Sequence, residues 1–96
     1  MALKVVFTKR AAQGYAEIVQ YLEENWTEKE LDSFEIEVET FLRKLVLFPN
    51  MLKPSRKNKI RRGPINSLTM LTYRVNLETK QIEVLNLRST RKYPRL

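Results

Sequence analysis

The sequence contains neither cysteine nor histidine. Without cysteine the chain forms no disulfides, and without both residues it has no zinc-finger site. Histidine-based acid–base catalysis is excluded as well. The apolar runs are far shorter than the ~20 residues of a membrane-spanning helix, and the start of the chain is too short and too basic for a signal peptide. We therefore expect a single domain over residues 1–96 that is soluble and cytoplasmic, with no membrane partner.

Acidic residues are scarce in the second half of the chain. Residues 1–48 carry six Lys and Arg against nine Asp and Glu (net −3), whereas residues 49–96 carry twelve against two (net +10). So basic a segment repels itself unless its charges spread over a surface that meets an anion, most commonly nucleic acid. A solvated basic face that only aids solubility is the alternative. Because a basic half-chain repels divalent cations, we expect no metal site, and no cofactor is implied.

The first half of the chain predicts one strand and two helices. Residues 3–8 alternate as a strand does, and Thr8 is placed to cap a helix. From residue 11 to residue 26 the apolar side chains recur three and four positions apart, which indicates an amphipathic helix. Thr27 and Glu30 have the spacing of a capping box, and the second helix that they start ends before Pro49.

Apolar residues of the second helix form a seam suited to antiparallel packing on the first. The seam consists of Leu31, Phe34, Val38, Phe41, Leu45 and Phe48. Acidic residues on the opposite side, Glu28, Asp32, Glu35 and Glu39, are interpreted as a solvated face, with a basic partner as the alternative. In the first helix, Gly14 allows a close packing contact, and Trp26 is expected to pack between helix and sheet.

The second half predicts three strands joined by turns. The strands cover residues 57–62, 68–75 and 81–88, with a turn at Gly63–Pro64 and a hairpin connection at residues 76–80. The predicted order is β-α-α-β-β-β. This order is typical of an α+β domain in which a two-helix hairpin packs on one face of an antiparallel sheet of about four strands.

Strand alternation assigns each side chain to one face of this sheet. Leu71, Tyr73 and Val75 are placed inward, and so are Leu85 and Leu87. Ile82 and Val84 then point outward. With Ile60 inward, five cations gather on the face away from the helices: Lys57, Lys59, Arg61, Arg74 and Arg88. Of the neighbouring Arg61 and Arg62, which face opposite ways, one is expected to be a structural or surface residue.

In order and spacing, these segments resemble the RelE/ParE family of bacterial toxins over nearly the whole chain. The resemblance is carried by Tyr15, Ile18 and Leu22, by Leu45–Pro49, Lys57–Arg62, Leu71–Val75 and Ile82–Arg88, and by Thr90–Pro94. It implies a small α+β domain from a toxin–antitoxin or plasmid stabilisation system. It also implies an antitoxin partner, for which the charge split predicts an acidic and apolar segment.

The resemblance implies two activities. RelE-like members cleave mRNA in the ribosome, whereas ParE-like members inhibit DNA gyrase and are not nucleases. In the RelE-like reading, Lys57 and Lys59 supply a base or bind phosphate, Arg61 and Arg88 stabilise the phosphorane, and Tyr93 stacks on a base or assists proton transfer. Further nucleic-acid contacts are assigned to Arg56, Arg62, Arg74, Arg91 and Lys92.

Two positions depart from the patterns of known nucleases in the family. Lys92 stands before Tyr93 where one subgroup has histidine, and Met70 replaces an arginine common on the central strand. Lys57 and Lys59 can also be read as edge-strand lysines that discourage aggregation. These departures favour a gyrase inhibitor, whereas the RelE-like branch has precedent for catalysis without histidine. On that ground we expect a toxin that acts as a ribosome-dependent mRNA endonuclease. A gyrase inhibitor and a non-toxic nucleic-acid-binding module remain the alternatives.

Overall fold

A computed structural model describes residues 3–52, 54, 60–66 and 68–89. Within them lie four strands and two helices in the predicted order. The elements are β1 (Lys4–Phe7), α1 (Lys9–Asn25), α2 (Glu28–Leu47), β2 (Arg61–Asn66), β3 (Thr69–Asn76) and β4 (Gln81–Ser89). The α+β class and the β-α-α-β-β-β order are therefore confirmed.

The four strands form one sheet in the order β1-β4-β3-β2. Strands β2, β3 and β4 make the predicted antiparallel meander, but β1 pairs with β4 in parallel. The sheet is thus mixed, and the prediction of a wholly antiparallel sheet is wrong in this respect. Alternation within a strand determines which face a side chain occupies, but it carries no information on which neighbour the strand will pair with.

The core lies between the two helices and one face of the sheet. Among the described residues, ten apolar ones are buried there, namely Ala11, Ile18, Phe34, Val38, Leu45, Leu71, Tyr73, Ile82, Val84 and Leu87. Helix α1 packs closely on β4 because Gly14 has no side chain: a Cβ at this position would lie 2.0 Å from the carbonyl oxygen of Leu87. The close contact predicted for Gly14 is therefore confirmed.

Both predicted helix starts are present. The Thr8 hydroxyl oxygen accepts a hydrogen bond from the Ala11 amide at 3.2 Å, and the Glu30 carboxylate accepts one from the Thr27 amide at 3.2 Å. Trp26 was expected to pack between helix and sheet, and Phe48 to pack on the first helix. Both predictions are wrong. Trp26 is 51% exposed and Phe48 is 62% exposed. Both are C-cap residues with non-helical backbone angles, so neither continues its helix's apolar stripe.

Strand β2 begins later than predicted. It runs through Gly63 and Pro64, which were expected to form a turn. Proline is tolerated there because β2 is the last strand of the four-stranded sheet, so a missing amide need not break the ladder. The predicted strand residues before Ile60, including Lys57 and Lys59, lie outside the described residues.

A β-bulge changes the alternation of β4. Thr72 pairs with Asn86 and Tyr73 pairs with Val84, so Leu85 is an extra residue without a partner on β3. Ile82 and Val84 before the bulge are fully buried, as is Leu87 after it. The outward placement of Ile82 and Val84 is therefore wrong, because unbroken alternation cannot bury residues on both sides of a bulge.

No helix in the described part of the chain is long and apolar enough to cross a membrane. The same residues contain no cluster of three or more acidic side chains arranged to hold a metal ion.

Candidate nucleic-acid interface

The face of the sheet that points away from the helices is the candidate interface, and it is called the outer face below. Its side chains follow from the strand pairing, since directly opposite residues share a face. One row across the sheet is Arg62–Thr72–Asn86, the next is Pro64–Met70–Arg88, and a third position pairs Arg74 with Glu83. The inner residues of β3 that alternate with these, Thr69, Leu71 and Tyr73, are all buried.

Arg62 and Arg88 are the exposed arginines of the two central rows. Neither guanidinium makes a hydrogen bond or an ion pair with another described residue, so both are free to bind an anion. The outward position predicted for Arg88 at the end of β4 is confirmed. A guanidinium stays protonated and presents several N–H donors in a plane, which suits the oxygens of a phosphate group.

Arg74 also lies on the outer face, but it is engaged by Glu83 on the neighbouring strand. Its Nε and Nη2 atoms donate to Oε1 of Glu83 at 2.8 and 2.6 Å. This ion pair is partly exposed, with 49% of the Arg74 side chain and 20% of the Glu83 side chain accessible. Arg74 is therefore less available to nucleic acid than Arg62 or Arg88.

Arg61 lies on the opposite face from the one predicted. It pairs with Tyr73, which is buried against the helices. Its Nη1 donates to the carbonyl oxygens of Leu52 at 2.6 Å and of Asn50 at 3.2 Å. The prediction placed Ile60 inward as part of the strand, but Ile60 precedes β2, and it is the pairing with Tyr73 that determines the face of Arg61. Arg61 is thus the structural member of the arginine pair, and Arg62 is the exposed one.

The side chain of Tyr73 binds the same segment as Arg61, which comprises residues 49–52. Its hydroxyl donates to the carbonyl oxygen of Pro49 at 2.5 Å, and its side chain is fully buried. Burial raises the pKa of Tyr73 above its ordinary value, although a backbone hydrogen bond and the charge of Arg61 act in the opposite direction. The expectation that Tyr73 is a core residue is confirmed. Arg61 and Tyr73 together tie the end of the helical hairpin to the sheet.

Several predicted site residues lie outside the described residues. They are Arg56, Lys57, Lys59, Arg91, Lys92 and Tyr93. On the described part of the outer face, the one carboxylate is that of Glu83, which is ion-paired with Arg74. This part of the face therefore supplies cations for phosphate but no free carboxylate that could act as a base.

Two neutral residues of the outer face were not assigned to a site from sequence. Thr72 and Asn86 lie opposite each other, between Arg62 on β2 and Arg88 further along β4. Both are partly exposed. Alternation on the two strands placed both side chains outward, but it gave no means of telling that they are adjacent. Their adjacency depends on the register around Leu85.

No protein-family model matches this sequence, and no curated protein matches it. Among solved structures, the chain is similar to the toxin–antitoxin complex RelBE2 from Mycobacterium tuberculosis, with a TM-score of 0.64. The two chains share 18% identity, and the match covers 93% of this chain and 99% of the other. At this identity the likeness concerns the fold alone.

Proposed function

We propose that this protein is the toxin of a toxin–antitoxin pair and inhibits growth by cleaving mRNA in the ribosome. The observation that carries the proposal is the pair of exposed arginines, Arg62 and Arg88, on the outer face of a RelE-type fold. A ribosome-bound mRNA would lie across this face, with its phosphates against the two guanidinium groups. The negative charge of the phosphates makes such binding favourable and sensitive to salt.

The proposed cleavage is attack of a ribose 2′-oxygen on the adjacent phosphorus. The 2′-hydroxyl gives its proton to a base, the bond from phosphorus to the 5′-oxygen breaks, and an acid protonates that leaving oxygen. The products are a 2′,3′-cyclic phosphate and a 5′-hydroxyl. Arg88 is proposed to stabilise the charge that develops on the phosphoryl oxygens. Lys57 and Lys59 remain the candidates for base or phosphate binding, and Tyr93 for base stacking or proton transfer. No role in stabilising the phosphorane is proposed for Arg61, because its guanidinium binds backbone carbonyls.

The proposed antitoxin has an acidic and apolar segment that covers the outer face. Its carboxylates would pair with Arg62 and Arg88, which are exposed on that face. Binding that depends on these pairs weakens with salt, because exposed charges are screened. A complex unaffected by molar salt, or one in which Arg62 and Arg88 stay accessible, would contradict this part of the proposal.

A gyrase inhibitor of the ParE type is the second candidate, and one observation favours it. The described outer face has no free carboxylate to act as a base, since Glu83 is held by Arg74. An inhibitor that only binds its target requires no base.

Induction of the protein in cells without an antitoxin tests these candidates. Cleavage in the ribosome predicts new 5′-hydroxyl ends in transcripts within minutes of induction, whereas gyrase inhibition predicts accumulated gyrase–DNA breaks with intact transcripts. A nucleic-acid-binding module without toxicity predicts no growth arrest.

Three variants test whether the exposed arginines of the outer face are needed for growth arrest. Arg88→Ala and Arg62→Ala are expected to relieve the arrest, while Arg43→Ala removes an exposed arginine from α2 and serves as the matched control. A folded Arg88→Ala variant that still cleaves transcripts at the normal rate would refute the assigned role.

A further inference from the structure

The centre of the outer face combines two cations with two neutral hydrogen-bonding groups. Thr72 lies directly between Arg62 and Asn86 in one cross-strand row, and Arg88 follows Asn86 by two positions on the same strand. Adjacent strands are about 4.8 Å apart, and two residues along a strand span roughly 6.7 Å. The backbone positions of Thr72 and Asn86 therefore lie within about 10 Å of those of both arginines, beside Met70, which pairs with Arg88.

The bulge at Leu85 produces this arrangement. Without the extra residue, Asn86 would share a face with the buried Ile82 and Val84. Thr8 holds the bulge from the start of α1: its amide donates to the carbonyl oxygen of Val84 at 3.0 Å, and its hydroxyl donates to that of Leu85 at 3.1 Å. Bulges commonly re-aim a side chain next to a functional site.

We propose that Thr72 and Asn86 read one base of a single-stranded RNA whose neighbouring phosphates are bound by Arg62 and Arg88. This inference rests on the proposed RNA-binding function and adds a specificity to it. The base must come from a single strand, because an A-form duplex hides its base edges in a deep and narrow groove. Thr72 and Asn86 are polar but uncharged, so they suit contacts to a base. The neighbouring arginines suit contacts to phosphates.

The amide of Asn86 identifies adenine as the preferred base. An asparagine amide has one acceptor and two donors, and it bonds to adenine in two places, accepting from N6 and donating to N7. The Thr72 hydroxyl beside it both donates and accepts. The alternative is that both residues merely hydrate the exposed side of the sheet, in which case no base is preferred.

Binding of fluorescent RNA decamers to the purified protein tests the proposal. The probes are an all-uridine decamer and the same decamer with one central adenosine, titrated across a series of salt concentrations. The wild-type protein is expected to prefer the adenosine-containing strand by about five- to hundredfold. Asn86→Ala is expected to abolish the preference for the adenosine-containing strand.

Arg88→Ala is expected to behave in the opposite way. It weakens binding of both strands, keeps the preference, and lowers the slope of log affinity against log salt by about 0.7, the value for one phosphate contact to a single strand. Asn50→Ala removes an exposed asparagine on the helix side and is the matched control. Circular dichroism checks that each variant is folded.

The outcomes separate the inference from the function on which it rests. Wild-type protein that binds both strands without preference, or that prefers another base, refutes the base-reading role and leaves RNA binding intact. A preference for adenosine that survives in Asn86→Ala refutes it as well. Wild-type protein that binds neither strand at low salt overturns RNA binding itself, and the inference with it.

Discussion

Replacement of Gly14 by alanine is expected to destabilise the protein strongly. The new Cβ would lie 2.0 Å from the carbonyl oxygen of Leu87. Carbon–oxygen contacts settle at about 3.3–3.6 Å, so α1 and β4 must separate by an amount on the order of 1 Å. The Cβ position is fixed by the backbone of α1, and the oxygen belongs to the backbone of β4, so no change of rotamer can relieve the contact.

The magnitude follows from two opposing effects. Overpacking typically costs about 1–3 kcal/mol, and a clash between two rigid elements belongs at the upper end. Alanine stabilises a helix interior by up to about 1 kcal/mol relative to glycine. We therefore expect Gly14→Ala to lower the free energy of unfolding by about 2 kcal/mol. For a domain of this size, that corresponds to a fall in Tm of roughly 8–16 °C.

Urea denaturation followed by circular dichroism measures this change, with two comparison variants. At Gly63, an added Cβ would lie 2.7 Å from Cδ2 of Leu52, the far end of a flexible side chain, so Gly63→Ala is expected to cost less. Gln13→Ala changes an exposed neighbour in the same helix and should leave stability nearly unchanged. A Gly14→Ala variant as stable as the wild type would refute the close packing of α1 on β4.

Three further outcomes are expected. The raised pKa of Tyr73 means that the folded state holds the phenolic proton more tightly than the unfolded state, so its contribution is complete below pH 10 and is lost as pH rises through the raised pKa. Denaturation at pH 8 and pH 11 should show this loss in the wild type and a smaller one in Tyr73→Phe. A double-mutant cycle on Arg74 and Glu83 should give a coupling of about 0.2–1 kcal/mol that falls in molar salt, and a larger, salt-independent value would contradict their partly exposed geometry. Trp26 is the one tryptophan in the sequence and is 51% exposed, so acrylamide should quench its fluorescence in the folded protein; protection from quenching would show that it is buried.

Local patterns were sufficient to predict the helices and most of the sheet. Thr8 and the Thr27–Glu30 pair act on amides only three positions away, so their roles can be read from adjacent sequence. The inward placement of Leu71 and Tyr73 on β3 is likewise a matter of alternation. These assignments are correct because each depends only on the local spacing of residues within one helix or strand.

The features that sequence reasoning missed depend on distant partners. Strand β4 has apolar residues at 82, 84, 85 and 87, which fit two alternation patterns equally well. The choice between them is made by pairing with β3 and by the hydroxyl of Thr8, which lies 77 positions from Leu85 in the chain. The face occupied by Arg61 depends in the same way on the segment at residues 49–52, to which its guanidinium is bonded.

In the fold, the acidic half of the sequence and the exposed arginines of the basic half lie on opposite sides of the sheet. All nine acidic residues of the first half lie on α1 and α2, and all are exposed. The helices cover the inner face of the sheet, whereas Arg62 and Arg88 are exposed on its outer face. A polyanion is thus repelled from the helix layer and attracted to the outer face before any contact is made. The acidic helix surface, interpreted from sequence as a solvated face, therefore also favours one orientation of approach, with the arginines towards the phosphates.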